Sequence, residues 1–117
     1  MPRDWKLRIE DILDAIARIE RFTAAVDESG FQKNETIFYA VLANLHIIGE
    51  AAARVPKDIQ RKYPEVPWNR ARGLRNIIAH EYFAVDAPVI WQAAAENAPG
   101  LKPMMEKILA QEPDEGP

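Results

Sequence analysis

The sequence predicts an all-α protein, an up-and-down bundle of four main helices followed by a short C-terminal helix. Two observations lead there. Apolar residues recur at three- and four-residue intervals along most of the 117 residues, which is the period of one buried helix face. No stretch alternates apolar and polar residues with the two-residue period of a half-buried strand, and no segment repeats another.

Each element can be justified in order. Asp4 is placed to cap a first helix whose buried stripe is Trp5, Ile9, Ile12, Ile16, Ile19 and Val26. Lys6, Glu10, Asp14, Arg18 and Arg21 fill its other side, and Ser29-Gly30 should end it. Asn34 can cap a second helix that runs to about Arg54 and stops before Pro56. Ile37, Val41, Leu45, Ile48 and Ala52 form its stripe, widened by Phe38, Leu42 and Ala43. A helix apolar around so much of its circumference belongs at the centre of a bundle or under a second subunit. Gly49, followed by Glu50 and three alanines, offers a surface where another backbone could come close. Pro56 to Pro67 reads as a connector with one helical turn at Lys57 to Arg61. Pro67-Trp68 opens a third helix, expected to reach Tyr82. Asp86 should cap a fourth, with Pro88 in its first turn and Ile90, Trp91 and Ala94 packed. Asn97-Ala98-Pro99-Gly100 should break or kink it. A final helix carries Met104, Met105, Ile108 and Leu109. Residues 1–110 thus form one domain, and 111–117 read as a frayed tail.

Composition narrows the class. Hydrophobic residues make up 48% and charged residues 28% of the chain, the balance of an ordinary globular domain. No uninterrupted run of ~18 apolar residues suggests a membrane span, and the N-terminus lacks a signal-peptide core. The absence of cysteine excludes disulfides and thiolate metal sites and fits a cytoplasmic location. Net charge is −3, yet seven of the fifteen cations lie between Arg54 and Arg75, against only Asp58 and Glu65. Such a local positive field can recruit a polyanion to an acidic protein. Lys57, Arg61, Arg70 and Arg72 are therefore candidates for RNA or phosphate binding.

The basic stretch leads into Arg72-Gly73-Leu74-Arg75-Asn76-Ile77-Ile78-Ala79-His80-Glu81-Tyr82. On one continuous helix, Arg72, Asn76 and His80 would follow at i, i+4, with Arg75 and Tyr82 on a line beside them and Leu74, Ile77 and Ile78 opposite. Cations, an amide, an imidazole and a phenol on one face suit a phosphate-bearing ligand. Cleaving RNA without a metal needs a base for a ribose hydroxyl and a cation for the pentacoordinate phosphorane. Histidine and arginine supply both. Each residue alone has a plainer explanation; Arg75, for example, could pair with Glu65 or Glu81. His46 and Glu50, at i, i+4, could hint at a metal. A di-metal bundle wants repeated Glu-x-x-His pairs and further carboxylates, so no metal site and no cofactor is expected.

Arg75-Asn76-x-x-x-His80-x-Tyr82 resembles the Arg-x-x-x-x-His signature, extended by x-Tyr, of the HEPN superfamily. The chain is similar more narrowly to the HepT-type toxins of MNT–HEPN systems. Ile47-Ile48-Gly49-Glu50-Ala51-Ala52, Tyr63-Pro64-Glu65-Val66-Pro67-Trp68, Gly73-Leu74-Arg75-Asn76 and Tyr82-Phe83, with Asp86 and Trp91, share in the likeness, which covers roughly residues 4 to 110. The resemblance implies a HEPN-like helical bundle that forms a homodimer and acts as a metal-independent endoribonuclease toxin. Arg75 and His80 would be the catalytic pair, with Asn76 in support. The implied partner is a minimal nucleotidyltransferase antitoxin that adenylylates Tyr82. No nucleotidyltransferase signature occurs here, so the chain resembles only the toxin half. The rival reading is a non-catalytic module that docks a nucleotidyltransferase and helps bind its substrate.

Overall fold

Helix α1 (Trp5–Ala24) begins at Asp4, whose carboxylate accepts from the Lys6 N–H at 3.0 Å. Its stripe of Ile9, Ile12, Ile16 and Ile19 is buried as the spacing predicts. The helix stops at Ala24, five residues short of Ser29, because the Asp27 carboxylate accepts from Gly30 N–H at 2.7 Å and starts a separate turn. That turn is α2 (Glu28–Phe31), and it leaves Val26 in the linker. The computed structural model describes residues 4–77 and 83–112, except for the side chains of 83–85.

Helix α3 (Glu35–Ala53) is the hub. Asn34 caps it through its side-chain oxygen, which accepts from Ile37 N–H at 2.9 Å. Phe38, Val41, Leu45, Ile48 and Ala52 are fully buried against α1 and the later helices. By length and mean hydropathy alone α3 meets the measure of a bilayer span, but here those residues build the core of a bundle. One polar link crosses the α1–α3 seam: Arg18 donates to the Asn44 side chain at 2.7 Å, while the Asn44 amide donates to Ala40 O at 2.8 Å. Buried Asn44 thus has both ends satisfied.

The connector holds α4 (Lys57–Lys62), and α5 (Trp68–Gly73) follows Pro67. Trp68 is buried, and its indole N–H donates to Tyr63 O at 3.0 Å, folding the connector back on the start of α5. The helix expected to reach Tyr82 does not continue that far. After Gly73 it tightens into a 3₁₀ turn (Leu74–Asn76), and Ile77 is extended with φ −71° and ψ 117°.

Helix α6 (Phe83–Gln92) starts before Asp86, so Asp86 is not its cap and Pro88 stands inside the helix. Residues 97–100, where a break or kink is expected, do not end the helix: a π-helical turn (Ala93–Asn97) leads without interruption into α7 (Ala98–Gln111). Ala98 N–H reaches back five residues to Ala93 O, a wider loop that accommodates Pro99, which has no N–H to give. Ala87, Ile90, Ala94, Leu101, Met105 and Ile108 complete the core. Phe31 knits the bundle at one end, with its ring 5.9 Å from Phe38 and 5.3 Å from Trp91.

A clasp fastens the far end of α7. Glu112 accepts from the Tyr63 hydroxyl at 2.5 Å and pairs with Lys62 at 2.7 Å, while its backbone oxygen accepts from Lys6 at 3.1 Å. Lys6, placed by the helical pattern on the polar side of α1, is therefore buried beneath the end of α7. The all-α bundle is as the sequence predicts; several of its boundaries are not. Of the expected tail, Gln111 ends α7, Glu112 forms the clasp, and 113–117 lie outside the described residues.

Candidate active site around Arg75

Arg75 and Asn76 sit on the exposed side of the 3₁₀ turn, while Leu74 anchors it in the core. The position of Arg75 is set by three residues of α3. Gly49 lies against its backbone so closely that a Cβ there would fall 2.2 Å from Arg75 N and 2.6 Å from Arg75 Cβ. His46 Nδ1 stands 3.1 Å from Arg75 O, a hydrogen bond in which the Nδ1–H tautomer donates. Glu50 Oε1 is 3.6 Å from Arg75 Nη1. Residues i, i+3 and i+4 of one helix face thus hold the backbone, the carbonyl and the guanidinium of a single arginine.

This arrangement also bears on how the helical path stops after Asn76. In a continuing α-helix the Arg75 carbonyl would accept from the N–H four residues on. Here His46 engages that carbonyl, and Ile77 N–H bonds to Leu74 O at 3.3 Å. Gly73, with its low helix propensity, adds to the weakness. Because Ile77 is extended, one continuous helix from Arg72 towards His80 is interrupted after Asn76. His80 and Tyr82 themselves lie outside the described residues.

Arg72 belongs elsewhere. Its guanidinium donates to Gln60 Oε1 at 2.7 Å and to the Asn69 side chain. It shares a groove of about 560 Å³ with Lys57, Arg61 and Arg70, so the four candidate phosphate-binding cations are brought together, but apart from the Arg75–Glu50 pair. The ion pairs suggested for Arg75 are corrected in part: Glu65 pairs with Lys107 at 3.4 Å, and Arg75 with Glu50. Glu81 lies outside the described residues. His46 and Glu50 stood out in the sequence only as unconvincing metal ligands. The signal of their joint role was the His46–Gly49–Glu50 spacing, with glycine marking the close approach.

An exposed arginine, its backbone held by α3 and its guanidinium loosely paired with Glu50, thus stands on the surface of an all-α bundle. Comparison with known proteins assigns its class. A family described as ribonuclease HepT-like matches residues 12–108, and the chain belongs to that family. It is 40% identical to a candidate RNase of Methanocaldococcus jannaschii over 92% of each chain. It is 39% identical to the protein of Thermococcus cleftensis named Probable ribonuclease HepT, over 92% of this chain and 98% of that one. A candidate RNase of Caldanaerobacter subterraneus subsp. tengcongensis is 31% identical over 89% of this chain and 93% of its own. No solved structure matches significantly.

Proposed function

We propose that this protein is a metal-independent endoribonuclease and the toxin of a cytoplasmic toxin–antitoxin pair. The observation that carries this reading is membership of the HepT-like ribonuclease family in a chain whose exposed Arg75 is fixed five residues before His80. His80 takes the proton from a ribose 2′-hydroxyl, and the freed oxygen attacks the adjacent phosphorus. The bond from phosphorus to the 5′-oxygen breaks, and that oxygen leaves with a proton returned by the imidazolium. The products are a 2′,3′-cyclic phosphate and a 5′-hydroxyl. Arg75 stabilises the charge that grows on the phosphorane oxygens. Its pair with Glu50 is long and solvent-exposed, hence weak, and an incoming phosphate can displace it. Asn76, exposed beside Arg75, supports the phosphate with its amide.

The resemblance that assigns His80 also gives Tyr82 its role as the residue adenylylated by a minimal nucleotidyltransferase antitoxin. The added nucleotide would place a bulky anion where the phosphodiester must sit. A homodimer is favoured by α3, which leaves Tyr39, Ala43 and Ile47 facing solvent in line with His46 and Glu50. That stripe would bring two Arg75 turns to one interface.

The test is an RNA cleavage assay on the unmodified protein with His80→Ala and Arg75→Ala. Both variants should fold and lose at least about a hundredfold in cleavage. Full activity in a folded His80→Ala protein overturns the assignment. Intact-mass analysis after incubation with the neighbouring nucleotidyltransferase and ATP should find one or more AMP groups, absent from Tyr82→Phe.

A further inference from the structure

We propose that the groove between α4 and α5 is a docking track for single-stranded RNA, holding the substrate on one side of the scissile phosphodiester. The proposal rests on the ribonuclease reading and gives the substrate a second point of attachment. Lys57 and Arg61 rise from α4 and Arg70 from α5; all three are exposed, and none has an acidic partner among the described residues. Arg72 is the positioning residue of the group. Held by Gln60 on α4 and Asn69 on α5, it fixes the spacing of the two walls and leaves the other three cations free.

The lining favours a nucleotide chain over a simple anion. Exposed Pro64 and Pro67 supply apolar wall between the cations, a surface for ribose and base beside a row of phosphate partners. A neighbouring groove shares Pro67 and Arg70 but is lined by Glu96, Val89, Leu101 and Met104, chemistry that does not suit a phosphate backbone. Position favours the track as well. Arg70 precedes Arg75 by five residues on a nearly continuous helical path, about 8 Å along its axis. Five residues at ~100° each also turn the path by ~140°, so a strand leaving the groove at Arg70 must wrap around the helix to meet the Arg75 turn.

The experiment uses the full chain and a fluorescein-labelled single-stranded RNA oligonucleotide, with anisotropy read over a range of KCl concentrations and cleavage kinetics in parallel. The triple variant Lys57→Gln/Arg61→Gln/Arg70→Gln is compared with Arg21→Gln/Lys33→Gln/Lys102→Gln, which removes equal charge elsewhere. The groove variant should bind at least about tenfold more weakly, and its slope of log affinity against log salt should flatten by about 2, from three lost contacts at ~0.7 each. KM should rise with kcat within about twofold of the parent, because these contacts do not change between ground state and transition state. Equal losses in both triple variants, or none in the groove variant, overturn the track and leave the ribonuclease reading intact. If the parent does not cut RNA, that reading falls while anisotropy still decides the groove: loss confined to the groove variant supports it, and parity refutes it.

Discussion

Gly49 carries more of the site than any residue that would touch the substrate. No backbone angle requires glycine there; the contact with Arg75 does, since a methyl group would collide with backbone and Cβ atoms that cannot swing away. Gly49→Ala should lower stability by about 1–3 kcal/mol, the usual cost of overpacking a tight contact. It should also move Arg75 off its position and reduce cleavage by about a hundredfold, as small misplacements of catalytic groups do. Thermal melts and cleavage rates on the same protein check both. A stable, active Gly49→Ala protein would mean that the α3 grip is unnecessary.

Among the elements, legibility in the sequence followed how local the controlling interaction is. Asn34 and Asp4 cap through bonds spanning two or three residues, so α1 and α3 start where their patterns begin. The turn at Arg75 is held by His46, twenty-nine residues away, and only Gly73 hints locally that α5 stops. The π turn escaped for a different reason. Pro99 and Gly100 are read as a break or a kink, and a change of hydrogen-bond partner carries the helix through them with one wide turn. Residue type and motif single out Arg75 and Asn76 in the sequence, but not the α3 residues that pack against Arg75.

The clasp joining α4, α1 and the end of α7 should give stability an acid and an alkaline limit. Hydrogen bonds from Lys62, then from Tyr63, hold the Glu112 carboxyl below its ordinary 4.5, although partial burial opposes them. Its contribution is therefore present above pH 4.5 and lost as pH falls through the lowered folded value. Burial first, and then the bond to Glu112, push the Tyr63 hydroxyl from 10.0 up to about 12. That contribution is complete below pH 10 and disappears between 10 and 12. Melting temperature measured against pH should show both flanks. Glu112→Gln should flatten the acid flank, and Tyr63→Phe the alkaline one. Unchanged flanks in both variants would remove the clasp from the stability of α7.

For the molecule as a whole, α3 serves two surfaces at once. Its buried side makes the core, and its other side presents Tyr39, 44% exposed, and Ile47, 38% exposed, next to the residues that hold Arg75. A charge in the middle of such a stripe should separate subunits without touching the core. Sedimentation velocity should find the parent a dimer and Ile47→Glu a folded monomer with reduced cleavage. A monomeric parent would rule out an active site shared across the α3 stripe.

The contact between Lys6 and Glu112 also bears on topology. It sets the beginning of the first helix beside the end of the last, so among the described residues the fold returns close to where it starts, nearly a closed ring. In a ring the place where the chain is cut is a matter of convenience. A linker across the clasp, with new ends opened at the exposed corner between α1 and α2, would preserve every helix pairing in a different chain order.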